Sequence, residues 1–266
     1  MTMFYRTGLS ALISVFVLMA SSHVLADAAQ DKGLLIAKAA KIRDQGWGDY
    51  SADMSMYLRN QQGQESLRQI KIKTLEQLND GDKSLTLFNK PRDVKGTAFL
   101  SFSHPVVSDE QWLYLPALKR VKRISSKNKS GPFMGSEFAF EDLSSFEVEK
   151  YSYNYLGDEI INNLDSYMIE QFPVDKNSGY TRRVVWLDKS EYRPHKIDFY
   201  DRKNTLLKTL TYNHYQEYLG DYWRANTMNM VNHQNGKSTE LQWSNYAFQI
   251  GLHENDFNKN SLKRAR

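Results

Sequence analysis

Cysteine is absent from the 266 residues, which excludes disulfides, thiolate metal sites, a cysteine nucleophile and an acylated cysteine anchor. Long apolar runs are scarce too. The longest, Leu9 to Met19, follows Arg6 and ends at Val24-Leu25-Ala26. It is about a dozen residues long, short of the roughly 20 that span a bilayer, and it has the layout of a secretory leader. Residues 1–26 are therefore expected to be a signal peptide cut after Ala26, with 27–266 as one mature domain. Export without disulfides points to a bacterial envelope compartment, most simply the periplasm. An excess of either charge is also missing. Without Arg6 the chain has 34 cations against 31 acids, so global charge names no partner, and nucleic acid is not expected.

Recognisable catalytic patterns are lacking as well. His104, His195, His214, His233 and His253 stand alone, with no HExxH or His-x-His pair among them, and neither GxSxG nor a glycine-rich phosphate loop occurs. Glu137, Glu141 and Asp142 flank a basic ribbon, where acids more often form ion pairs than acid–base machinery. No enzyme, metal or cofactor is expected.

What is present reads mainly as β-structure. Leu35, Ala39 and Ile42 recur at helical spacing, predicting one amphipathic helix over 27–45 that ends near Gly46. The period then changes to two, with Tyr50, Ala52, Met54, Met56 and Leu58 on one parity. Turn signals such as Gln62-Gly63, Asp80-Gly81-Asp82, Gly220-Asp221 and Asn235-Gly236 separate stretches rich in β-branched and aromatic residues. They bound strands expected at 50–59, 66–77, 84–89, 97–103, 111–124, 147–156, 165–172, 181–188, 194–200, 205–218, 223–233 and 238–248. A sheet of a dozen strands must curl or close. Residues 125–145 fit no strand, and loops of that length are usually functional or disordered.

Two sets of residues are candidates for function. Met54, Met56, Leu58, Leu113, Leu115, Trp186, Phe199, Met228, Met230 and Trp243 are large apolar side chains on strands, suited either to a core or to a cavity wall. Lys119, Arg120, Lys122, Arg123, Lys127 and Lys129 form a dense basic run, followed by Phe133, Met134, Phe138 and Phe140. Because cations occupy both parities of 119–123, that strand cannot be buried on either face and should lie at an edge.

The stretches DGDKSLTLFNKPRDVKGTAFLSF (80–102), DEQWLYLPALKRVKRISSKNKSGPFMGSEFAFEDL (109–143) and YDRKNTLLKTL (200–210) resemble the outer-membrane lipoprotein-sorting family. These are LolA-like periplasmic proteins, related in fold to LolA, LolB and RseB. The resemblance implies a mainly β (α+β) fold: an incomplete, strongly curved antiparallel half-barrel, with an N-terminal helix and short helices or loops covering an apolar cavity. It also implies carriage of a lipid or acylated protein, in concert with an inner-membrane exporter of the RND (MMPL) type. On this reading the apolar strand residues hold acyl chains, and Phe133, Met134, Phe138 and Phe140 form an apolar lip. The cations at 119–129 dock transiently on lipid phosphates or on acidic patches of the exporter. The alternative is a lipid-sensing adaptor, similar to RseB, that acts through protein contacts.

Overall fold

The computed structural model describes residues 10–263, with side chains from Asp27 onward. The leader expected at 1–26 thus lies outside the described side chains, and its first nine residues lie outside the description altogether. A helix, α1 (Ser10–Arg43), precedes the strands β1 (Asp49–Arg59), β2 (Glu65–Leu75), β3 (Lys83–Lys90), β4 (Ala98–Phe102), β5 (Glu110–Leu115) and β6 (Arg120–Ile124). After a long connection come β7 (Tyr151–Ile161), β8 (Leu164–Pro173), β9 (Tyr180–Asp188), β10 (Pro194–Asp201), β11 (Leu206–Tyr218), β12 (Tyr222–Asn232) and β13 (Ser238–Phe248). A short helix, α2 (Lys259–Leu262), follows them.

All thirteen strands form one antiparallel sheet in the order β6-β5-β4-β3-β2-β1-β13-β12-β11-β10-β9-β8-β7. Two meanders, β1 to β6 and β7 to β13, are joined where β1 pairs with β13, Met54 opposite Trp243 and Met56 opposite Leu241. β6 and β7 are left as free edges, so the sheet is bent but unclosed. One buried cluster unites Met56 (β1), Phe99 (β4), Ile169 (β8), Phe199 (β10) and Met230 (β12). Side chains that far apart in strand order meet only on the inside of a curve. The outer face of β3 to β5 is covered separately, as Phe257 and Leu262 pack with Leu85, Leu100 and Trp112.

Two local readings are corrected. The strand expected at 111–124 is a hairpin, β5 and β6, turned at Pro116–Leu118. Pro116 has no N–H for a ladder, and Lys119 takes the left-handed conformation, φ 48°. The helix is also rotated from its expected face. Leu35 and Ile42 are 66% and 69% exposed, whereas Gly33, Ile36 and Ala37 are buried. The cause is a close approach: a Cβ on Gly33 would lie 3.0 Å from the β7 backbone at Asn154 and Tyr155. Small residues on that stripe let α1 lie directly on β7, and packing geometry overrides the larger apolar side chains.

The connection 125–150 crosses the inside of the curve. Phe133 is 1% exposed and packs on Phe88, Phe99 and Phe140, with ring centroids 5.8, 5.1 and 5.7 Å away. Arg68 of β2 donates to the Met134 carbonyl, and the Glu137 N–H donates to Thr239 Oγ1 of β13 at 3.0 Å. Buried Lys208 of β11 donates to the Glu137 carbonyl and pairs with Asp142, both at 2.7 Å. Strands from both meanders thereby hold this segment as an internal plug.

Candidate functional site: a capped hollow beside the plug

The plug fills only part of the concave face. Beside it lies a cavity of about 810 Å³, within the roughly 300–1,000 Å³ typical of sites for small ligands. Its walls come from both meanders: Tyr50, Ile72 and Thr86 on one side, and Val185, Leu210, Tyr212, Met228 and Leu241 on the other. The plug contributes Phe138, Leu143 and Phe146, and α1 contributes Ala37 and Ala40. The wall therefore combines apolar side chains with hydroxyls and charges.

The segment from Lys41 to Gly48 is tied over one end of this space. Lys41 pairs with buried Glu147 at 3.0 Å and donates to the Phe146 carbonyl at 3.1 Å. Arg43 bridges Glu191 and Asp221, the latter at 2.7 Å, and Asp44 pairs with Arg224 at 2.6 Å. The N–H groups of Gly46 and Gly48 both donate to the Glu76 carboxylate at 2.7 Å. Beneath this latch, burial pushes the Asp82 carboxyl up to about 6, with Lys41 pulling it the other way. Gly81 beside it is obligatory, because a Cβ there would lie 2.5 Å from the Ser103 backbone.

Of the residues expected at the site, Phe138, Met228 and Trp243 line the cavity. Met54, Met56, Leu113, Phe199 and Met230 are buried in the filled part of the interior, with Leu58 and Leu115 packed against them. Trp186 lies on the opposite face, because Val185 and Leu187 take the cavity parity on β9. There Trp186 donates to Glu159 at 2.7 Å, and Lys196 sits 4.1 Å from its ring centre.

The lip expected from Phe133, Met134, Phe138 and Phe140 is also corrected. These side chains pack inside the curve, because a plug of aromatic rings buries more apolar surface there than a rim could. Exposed apolar residues at the cavity wall come instead from Val106 and Val107 in the β4–β5 loop and Val174 after β8, at 83%, 65% and 67% exposure. The apolar Pro105-Val106-Val107 run between two strands was the available signal.

Among the cations, Lys119, Arg120, Lys122, Arg123 and Lys127 are exposed. The first four lie on or beside β6, a free edge of the sheet as the parity pattern requires. Arg123 pairs with Glu110 across to β5 at 3.1 Å. Lys129 is different: it lines the cavity and is committed to Asp175 at 2.7 Å. Among the described residues no three His, Asp or Glu side chains gather as a metal centre.

A bent, open sheet with a hollow beside its plug and a latch over one end defines a half-barrel, unlike a solid β-sandwich. A Vibrio parahaemolyticus structure described as an outer membrane lipoprotein-sorting protein domain is 64% identical. The match covers 88% of this chain and 100% of that one, with a TM-score of 0.87. A DUF1329 family protein from Desulfovibrio piger is 29% identical over 88% of this chain and 99% of its own, with a TM-score of 0.83. A LolA superfamily protein from Nitrosomonas europaea shares the fold at 21% identity, covering 85% and 97% of the two chains with a TM-score of 0.68. A family model described as "Uncharacterized protein" matches residues 80–264. No curated protein matches the chain. The chain belongs to the outer membrane lipoprotein-sorting protein family and shares its fold with the LolA superfamily.

Proposed function

We propose that this chain is a periplasmic carrier that holds the acyl chains of a lipid or acylated protein in its cavity and passes them between envelope partners. Residues 1–26 would direct export, and 27–266 would act as one unit. A 16-carbon chain carries roughly 12 kcal/mol of hydrophobic cost in water, at about 0.8 kcal/mol per CH₂. A preformed hollow offsets most of that cost without holding the cargo beyond recovery. The cavity of about 810 Å³ between plug and latch is the observation that carries this reading.

Native mass spectrometry of the purified protein and titration with a fluorescent fatty acid test it. The expected result is a bound lipid and saturable binding, with Met228→Trp weakening the fatty acid about tenfold or more by filling the wall. No co-purified lipid and no binding would end the carrier reading.

The free basic edge supports docking on an anionic surface, either a bilayer or acidic patches of an RND (MMPL)-type exporter. Each Lys or Arg near such a surface contributes about 1 kcal/mol, screened beyond roughly 10 Å at 0.1 M salt. Replacing Lys119, Arg120, Lys122 and Arg123 with Gln is expected to weaken salt-sensitive sedimentation with anionic vesicles at least about tenfold. Fatty-acid binding should be unchanged. Equal sedimentation of the variant and the wild type would remove the docking role.

A further inference from the structure

Among the described residues seven cations line the cavity, and six of them have a carboxylate partner. Beyond the pairs of Lys41, Arg43, Arg224 and Lys129, Lys150 meets Asp109 and Arg193 meets Asp188, each at 2.8 Å. The seventh, Arg183 on β9, has none among the described residues. Its Nε donates to Gln171 Oε1 at 2.6 Å, and its guanidinium carbon sits 4.0 Å from the ring centre of Tyr151. Both Nη groups lack a protein acceptor among the described residues. The side chain is thus held and stacked by its neighbours at the cavity wall, which it lines with spare donors.

The surroundings match this open donor set. Tyr151 and Tyr212 both line the cavity, and neither hydroxyl has a hydrogen-bond partner among the described residues. Burial pushes both phenols up, with Arg183 acting in the opposite direction, so both remain O–H donors. Three of the acids that line the cavity are already engaged, while Glu149, which also lines it, is exposed and has no partner among the described residues. Asp142 accepts from the Ala139 N–H, Tyr180 and Lys208, and Glu141 accepts from Ser178 and the Gly179 N–H. Asp109 accepts from Ser144 and Lys150.

We infer that Arg183, with the Tyr151 and Tyr212 hydroxyls, binds an oxyanion inside the cavity, and that the carried molecule is an anionic amphiphile with its carboxylate or phosphate on this wall. The inference rests on the carrier reading and narrows its cargo. A guanidinium offers paired N–H donors matched to a carboxylate or phosphate, and the adjoining Val185, Ile197 and Leu210 provide apolar wall for the tail.

Fluorescence titration with cis-parinaric acid and with its methyl ester provides the test. The wild type should bind the acid roughly tenfold more tightly than the ester, as expected for a charge-assisted hydrogen bond. Arg183→Gln should level the two by weakening the acid alone, while Arg183→Lys retains part of the preference. Tyr212→Phe keeps the ring and should lower acid affinity severalfold with the ester unchanged; it serves if Arg183→Gln melts early by circular dichroism. An unaltered acid-to-ester ratio in both Arg183→Gln and Tyr212→Phe, or no preference in the wild type, overturns the oxyanion site and leaves the carrier reading standing. Binding of neither probe overturns both. Inorganic phosphate binding as tightly as the acid would show a free-anion site and overturn the amphiphile assignment.

Discussion

Phe133→Ala is expected to destabilise the protein by about 3–5 kcal/mol, the usual cost of emptying a buried aromatic site. Equilibrium urea unfolding should register the loss as a lower midpoint at an unchanged slope. The magnitude follows from position. Phe133 is 1% exposed and is ringed by Phe88, Phe99 and Phe140, all with centroids within 6 Å. A residue on an exposed lip would cost less than about 0.5 kcal/mol on truncation. The same substitution therefore separates a plug from a lip. The structure offers no easy collapse around the vacancy, because the Phe133 N–H donates to the Phe138 carbonyl at 2.7 Å and the Ser136 hydroxyl donates to the Phe133 carbonyl at 2.7 Å. The turn that carries the ring is held independently of it. A loss below 1 kcal/mol would mean that the segment packs more loosely than its burial indicates.

Much of the sheet was legible because strand alternation is a local property. Met54 and Met56 reveal their common face in five residues, and the basic parity of 119–123 was enough to assign an edge. The hairpin at Pro116 was less visible, since apolar Leu113, Leu115 and Val121 continue a two-residue period through the turn. Trp186 shows the limit of reading faces by size. Val184, Val185, Trp186 and Leu187 are all buried, so alternation gives no contrast there, and the strand on both sides decides which parity faces inward. The hollow itself was visible only as a choice of residue types. Met54 and Met228 look alike in sequence, yet the first is 5% exposed in the filled interior and the second lines the cavity. What separates them is how far the plug extends, and that depends on side chains more than sixty residues away. Arg183 carries no local signal at all, for its meaning comes from which carboxylates have been claimed by other cations.

Lys208→Met is the second large expected effect, because it removes one member of a desolvated ion pair. The two side chains are 4% and 6% exposed, with Lys208 Nζ 2.7 Å from Asp142. Losing a single partner of such a pair costs about 3–5 kcal/mol, mostly because the remaining charge is left buried without compensation. Asp142 keeps the Tyr180 hydroxyl at 2.8 Å and the Ala139 N–H at 2.7 Å, but these are dipoles and do not neutralise it. The double variant Lys208→Met/Asp142→Asn should therefore be more stable than Lys208→Met alone. Asparagine removes the stranded charge and still offers an oxygen to Tyr180 and Ala139. Chemical unfolding of both singles and the double gives the coupling; a double variant less stable than Lys208→Met would show that charge pairing is not the dominant contribution. The pair also sets the cavity boundary. It fastens the plug to β11, while Arg68 and Thr239 fasten it to β2 and β13. Releasing the β11 side alone should loosen the Phe138 end of the plug, which lines the hollow. Altered fatty-acid affinity is therefore expected to accompany the stability loss, and unchanged affinity would place the plug's motion away from the cavity.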